Sequence, residues 1–224
     1  MPAGDAPARR SVIHNSLGVS VATGAYGISF GAIGVATGLS VLQTCVLSLL
    51  VFSGGSQFAL VGVIGSGGAP LLGALSGLLL GLRNTLYGLR LAPLLGFRGT
   101  RRAAAAQIVI DESTAMSISQ PTPALARVGF LTTGVGIFVL WNLATFIGAL
   151  GGSALGDPRT YGLDAAVGAA FLALVWPRLD STQTRAIAMV AAAVALGVVP
   201  LTTPGVPVLV AGLVAFAAAA RTRS

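Results

Sequence analysis

The stretch 71-LLGALSGLLLGLRNTLYGLRLAPLL-95 is long enough to cross a bilayer, yet it carries Arg83 and Arg90 among its leucines. An arginine at bilayer depth costs about 2.5–3.5 kcal/mol on insertion scales, so it is rarely left facing lipid. Arg83, Tyr87 and Arg90 are spaced i, i+4, i+7 and share one helical face, with Asn84 beside it. That face must look inward. Arg90, nearer the next loop, has a route to the interface by snorkelling; Arg83 lies deeper.

The rest of the chain sets the solvent. Of 224 residues 54% are hydrophobic and 8% charged, the mean hydropathy is +0.89, and the basic residues are all arginine. A soluble domain carries about a quarter charged residues, so this is an all-α polytopic membrane protein whose environment is the lipid bilayer. The net charge of +7 gathers in loops and tails, not in a basic stripe with interleaved aromatics, so no nucleic-acid partner is expected. Cys45 is the single cysteine, which leaves no intrachain disulfide and no thiolate cage. His14, the single histidine, lies outside the spans, and neither G-x-S-x-G nor H-E-x-x-H occurs. Neither an enzyme nor a cofactor is expected.

A helix needs about 20 apolar residues to cross the hydrocarbon core. By that measure about seven transmembrane helices are expected, near 16–38, 40–65, 70–95, 129–150, 161–177, 184–200 and 204–220. Residues 1–15 then form an N-terminal tail, 16–220 a single transmembrane domain, and 221–224 a C-terminal tail. A signal-peptide reading of the basic start at Arg9 and Arg10 fails because the apolar run is too long, has no small-x-small cleavage site and is followed by further spans. Segment 103-AAAAQIVIDESTAMSISQ-120 is open to three readings: interfacial, re-entrant or spanning. Arg98, Arg101, Arg102 and Arg127 between spans three and four, Arg178 and Arg185 between five and six, and Arg221 and Arg223 at the end fall on one side, which the positive-inside rule makes cytoplasmic. The C-terminus is therefore expected inside; Arg9 and Arg10 oppose the matching outside N-terminus.

Residues 38-GLSVLQTCVLSLLVF-52 align weakly with 162-GLDAAVGAAFLALVW-176, with chance as the competitor. The offset of three spans would make an inverted repeat, with copies at 16–95 and 129–220 linked by 96–128. Glycines at 24, 27, 31, 34 and 38 put small residues on one face, a pattern for close packing or for a substrate path.

The second span is interrupted by 52-FSGGSQF-58. Broken backbone in lipid is tolerated only when buried in protein or lining a cavity. If Ser53, Gly54, Gly55, Ser56 and Gln57 open a half-helix, its N–H groups suit a carboxylate; a continuous helix with a small-residue contact is the alternative. Asp111 and Glu112 follow an apolar run broken only by Gln107, which makes them counter-ions for Arg83, either as a structural bridge or as a site for an ammonium or a proton. Asp164 and the pair Trp141-Asn142 are weaker candidates.

In order and spacing, FGAIGVATGLS (30–40), FSGGSQF (52–58), LRNTLYG (82–88), IDESTAM (110–116) and the run from Trp141 to Val175 resemble the AzlC family of branched-chain amino acid permeases, over about 16–215. The resemblance implies the large subunit of a two-component exporter in the bacterial cytoplasmic membrane. Its partner would be a small AzlD-type membrane subunit, and its substrates valine, leucine, isoleucine or related neutral amino acids such as methionine. Asn84 departs from the family's pattern, where histidine commonly follows this arginine. The expected site gathers Ser53 to Gln57, Arg83, Asn84 and Tyr87 for substrate and Asp111 and Glu112 for proton or ammonium coupling. A non-transporting assembly subunit and a channel for small neutral solutes are the competing readings.

Overall fold

The computed structural model describes residues 5–154, 172, 175–176 and 179–221. Among them, all regular secondary structure is helical: α1 (Asp5–Ala25), α2 (Gly27–Ala36), α3 (Val41–Leu50), α4 (Gly55–Gly65), α5 (Pro70–Leu95), α6 (Gly99–Ala106), α7 (Asp111–Ile118), α8 (Pro123–Ala154), α9 (Thr182–Val198) with a 3-10 turn at Val199–Leu201, and α10 (Val206–Arg221). Three segments have the length and apolar composition to cross a membrane: Ala6–Ala36, Pro123–Ala154 and Thr182–Leu201. Helix α5 has the length, with 26 residues, but Arg83, Asn84 and Arg90 lower its apolar content. Its bounds coincide with the expected third span.

The second expected span is two helices rather than one, α3 and α4, parted where the Ser-Gly-Gly stretch lies. The first helix begins about ten residues before the apolar run, so residues 5–15, expected as tail, are helical. The fourth begins at Pro123, with the Thr122 hydroxyl accepting from the Leu125 N–H at 3.3 Å as a cap. Arg127 is thus on α8 and not in a loop, a correction to the expected boundary. Segment 103–120 is also divided, into α6 and α7. Asp164, Arg178 and all but Leu172, Val175 and Trp176 of the fifth expected span lie outside the described residues, and with them most of the stretch 162–176 on which the repeat was read.

The chain forms two compact units: Met1–Val35, Leu39–Ser53 and Leu82–Gly156 in the first, and Ala36–Gly38, Gly54–Gly81 and Asp157–Ser224 in the second. In the first, α1 and α2 pack along α8 through glycine. A Cβ on Gly24 would lie 2.5 Å from the Leu140 Cβ, and those on Gly27 and Gly31 would run into the carbonyls of Trp141 and Thr145. Gly148 of α8 meets the Ile28 carbonyl in return. Gly24, Gly27 and Gly31 therefore form a close-packed seam with α8, the packing alternative, while Gly34 meets the Thr44 side chain and Gly38 meets nothing within 4 Å. Phe30 stacks on Trp141 with ring centroids 6.2 Å apart. A second cluster, Leu91, Leu95, Ile108, Val109 and Phe130, ties the end of α5 to α8 and to the segment after α6.

In the second unit, Gly73 and Gly77 of α5 face α4, where added Cβ atoms would lie 3.0 Å from the Leu60 carbonyl and 3.1 Å from that of Ser56. Helix α10 approaches the same half of α5, since a Cβ on Gly212 would lie 2.5 Å from Leu79. Helix α9 buries little beyond Ala191, while Met189 and Leu196 are each 72% exposed, a surface suited to lipid.

Candidate functional site

The polar residues of the first unit converge on backbone that the helices leave unpaired. Helix α3 ends at Leu50, and the last carbonyls of a helix have no partner within it. Gln107, at the end of α6, donates from its amide nitrogen to the Leu49 carbonyl at 2.8 Å and reaches that of Leu50 at 3.4 Å. Arg83 supplies the next contact: one terminal nitrogen donates to Asp111 Oδ2 at 2.7 Å and the other to the Ser53 carbonyl at 3.4 Å. The guanidinium thus joins the broken strand of chain after α3 to the first residue of α7. Planar, with a fork of five N–H donors, it suits such a double engagement.

Arg83 and Asp111 are 27% and 20% exposed, so the pair is shielded but not sealed. Arg83 Nε and Asn84 Oδ1 are buried without a hydrogen-bond partner among the described residues. Buried polar atoms are nearly always satisfied in folded proteins, so this donor and this acceptor are free for something else. Tyr87 is half-buried against the Leu91–Phe130 cluster, and Glu112 is half-buried next to Asp111 at the start of α7. Arg90 is exposed, in keeping with snorkelling.

The break between α6 and α7 is built differently. Ser113 Oγ accepts from the Ile110 N–H at 3.1 Å and donates to the Ile108 carbonyl at 2.7 Å, while Ile108, Val109 and Ile110 are 5–8% exposed. A hydroxyl within α7 therefore satisfies the turn that introduces it, and Asp111 starts from a fixed position.

Gly54, Gly55, Ser56 and Gln57 belong to the second unit. Gly54 has φ +61° and ψ −84°, a conformation that an L side chain strongly disfavours, and its N–H donates to Gln57 Oε1 at 3.1 Å. Gln57 is fully buried and its Nε2 has no partner among the described residues. The half-helix start read from the sequence is therefore present, with its first N–H capped by its own glutamine.

Two residues escaped the sequence reading. Gln107 stood out only as the one amide in an apolar run, and its role depends on a helix end 57 or 58 positions away. Ser113, three residues after Ile110, has the spacing of a capping side chain, but nothing in QIVI announces a helix start. Trp141 and Asn142 are engaged locally, Trp141 against Phe30 and Asn142 through its amide to the Phe138 carbonyl at 2.7 Å. Among the described residues no group of histidine, cysteine, aspartate and glutamate could hold a metal.

Comparison with known families gives one match: the family model described as AzlC protein fits residues 18–155. That range contains the arginine bridge and both helical breaks, but not the part of the expected resemblance beyond residue 155. No curated protein and no solved structure matches the chain.

Proposed function

The chain belongs to the AzlC family, and from that premise we propose that it is a secondary transporter exporting branched-chain or related neutral amino acids, as the large subunit of a two-component exporter with a small membrane partner. Family membership supports transport by a membrane protein. The observation that carries the site is the guanidinium of Arg83, engaged with Asp111 and the Ser53 carbonyl while its Nε remains unpartnered among the described residues.

A zwitterion suits that chemistry. Its carboxylate accepts from Arg83, its ammonium donates to Asp111 or Glu112 and to Asn84 Oδ1, and its aliphatic side chain rests on apolar helix surface. Competition of both substrate charges for the Arg83–Asp111 pair would couple occupancy to opening of the bridge, with a proton on a carboxylate as the alternative way to release it. Gly54, Gly55, Ser56 and Gln57 enter this reading through the chain alone, as the residues that continue from Ser53.

Valine efflux from loaded cells tests the proposal. Arg83→Ala and Asp111→Ala, each at normal membrane abundance, are expected to lose most efflux; wild-type efflux from either removes that residue from the mechanism. A second reading has support in the same bridge, because a residue that clamps broken backbone also serves a non-transporting assembly subunit. Under it, Arg83→Asp with Asp111→Arg regains full function, whereas a site that binds a zwitterion in a set direction does not. Accumulation against a gradient that collapses with a protonophore separates an exporter from a channel.

A further inference from the structure

We propose that the groove between the C-terminal half of α5 and α6 holds one acyl chain of an anionic phospholipid, with the lipid phosphate on Arg102. This rests on the membrane location alone and not on the exporter reading. The groove encloses about 360 Å³ within the first unit. Its floor is Leu91, Leu95, Val109 and Phe130, all at most 8% exposed. Leu89, 64% exposed, forms a lip, so the cleft opens at the surface of the first unit.

Length and charge select the occupant. The lining follows one face of α5 from Asn84 to Leu95, about 16 Å at roughly 1.5 Å per residue. That is close to one leaflet, half of a hydrocarbon core about 30 Å thick. Helix α6 follows α5 after the short link 96–98, which puts Arg102 toward the Leu95 end of the groove, in a segment that also carries exposed Arg98 and Arg101. Arg102 makes no hydrogen bond or ion pair among the described residues, whereas Arg127 Nε is engaged by the Leu95 carbonyl at 2.7 Å. Basic pockets between membrane helices take up anionic headgroups in this manner. No acidic residue lines the groove, so an amino acid zwitterion would leave its ammonium without a counter-charge, while a lipid places its anionic head on Arg102 and its tail on the apolar floor, ending short of Asn84, whose amide closes the far end.

Gly88 lies in the groove, and a Cβ added there meets nothing within 4 Å. Gly88→Leu therefore starts from open space and projects its side chain into the cleft, and leucine is the better helix former. The experiment compares the full-length wild type with Arg102→Gln, Arg101→Gln and Gly88→Leu in detergent, titrated with phosphatidylglycerol or phosphatidylcholine and read by native mass spectrometry and thermal melting. The wild type is expected to retain one phosphatidylglycerol in preference to phosphatidylcholine, with a raised Tm. Arg102→Gln should weaken that binding about fivefold, the loss expected for one basic side chain at a lipid headgroup, Gly88→Leu should abolish it, and Arg101→Gln should leave it nearly intact. Equal retention of the two lipids, or retention by folded Arg102→Gln or Gly88→Leu at wild-type strength, overturns the proposal. So does cross-linking of an Ala92→Cys variant to a small membrane protein in native membranes, since a protein would then cover the groove.

Discussion

Two breaks between helices, the one after α3 and the one after α6, differ in what satisfies the carbonyls they free. Between α6 and α7 the turn is buried and closed by Ser113, a residue of the helix it introduces. After α3 the Gly54 N–H is likewise closed by Gln57 of the helix it introduces, but the freed carbonyls of Leu49, Leu50 and Ser53 look to other segments, to Gln107 and Arg83. A self-satisfied break is a fixed corner, while one held by remote side chains opens when they leave. Motion in a transporter is therefore expected at 51–54 and not at 107–110.

The largest blow to this contrast is Arg83→Ala, which strips the Ser53 carbonyl of its donor and leaves Asp111 shielded without its arginine. Removing one partner of a buried pair costs about 3–5 kcal/mol, and the exposure of this pair places the loss near the lower end. Thermal unfolding should show it together with loss of efflux; a melt unchanged from wild type would mean that the bridge holds nothing. Next is Gly54→Ala, which puts a side chain at φ +61° and ψ −84°. Strained backbone of that kind costs about 1–3 kcal/mol, and the melting temperature should fall accordingly.

Ser113→Ala tests the self-closed break. It should cost about 1–2 kcal/mol, as for a lost cap, while the folded protein transports at the wild-type rate. Gln107→Leu is the mildest in stability, about 1 kcal/mol for hydrogen bonds on an exposed edge, but should lower the maximal efflux rate severalfold at unchanged half-saturation. If Ser113→Ala instead changed the rate and Gln107→Leu left it alone, the assignment of corner and hinge would be reversed.

The first break was legible because two glycines and two serines interrupt an apolar run, and such residues have few other uses in lipid. The arginine bridge was legible through scarcity: with six acidic residues in the whole chain, Asp111 and Glu112 were the evident partners for Arg83. The second break was not legible, because Ile108, Val109 and Ile110 carry no glycine or proline, and a β-branched run continues a membrane helix without difficulty. Gln107 was seen but not understood, since its acceptors lie on α3. The start of α8 was placed late because apolarity marks the membrane-embedded part of a helix and not its end, while Thr122 and Pro123 mark the end itself.

The seam between α1–α2 and α8 bears on how any movement is shared. Where Gly31 meets the Thr145 carbonyl and Gly148 meets that of Ile28, the touching surfaces have no rotamers to change. Close-packed interfaces shift between discrete seats and do not deform by degrees, and at these backbone-to-backbone contacts there are no side chains with which to improvise a second seat. These helices should travel as a single girder, leaving displacement to segments whose contacts are made by long side chains.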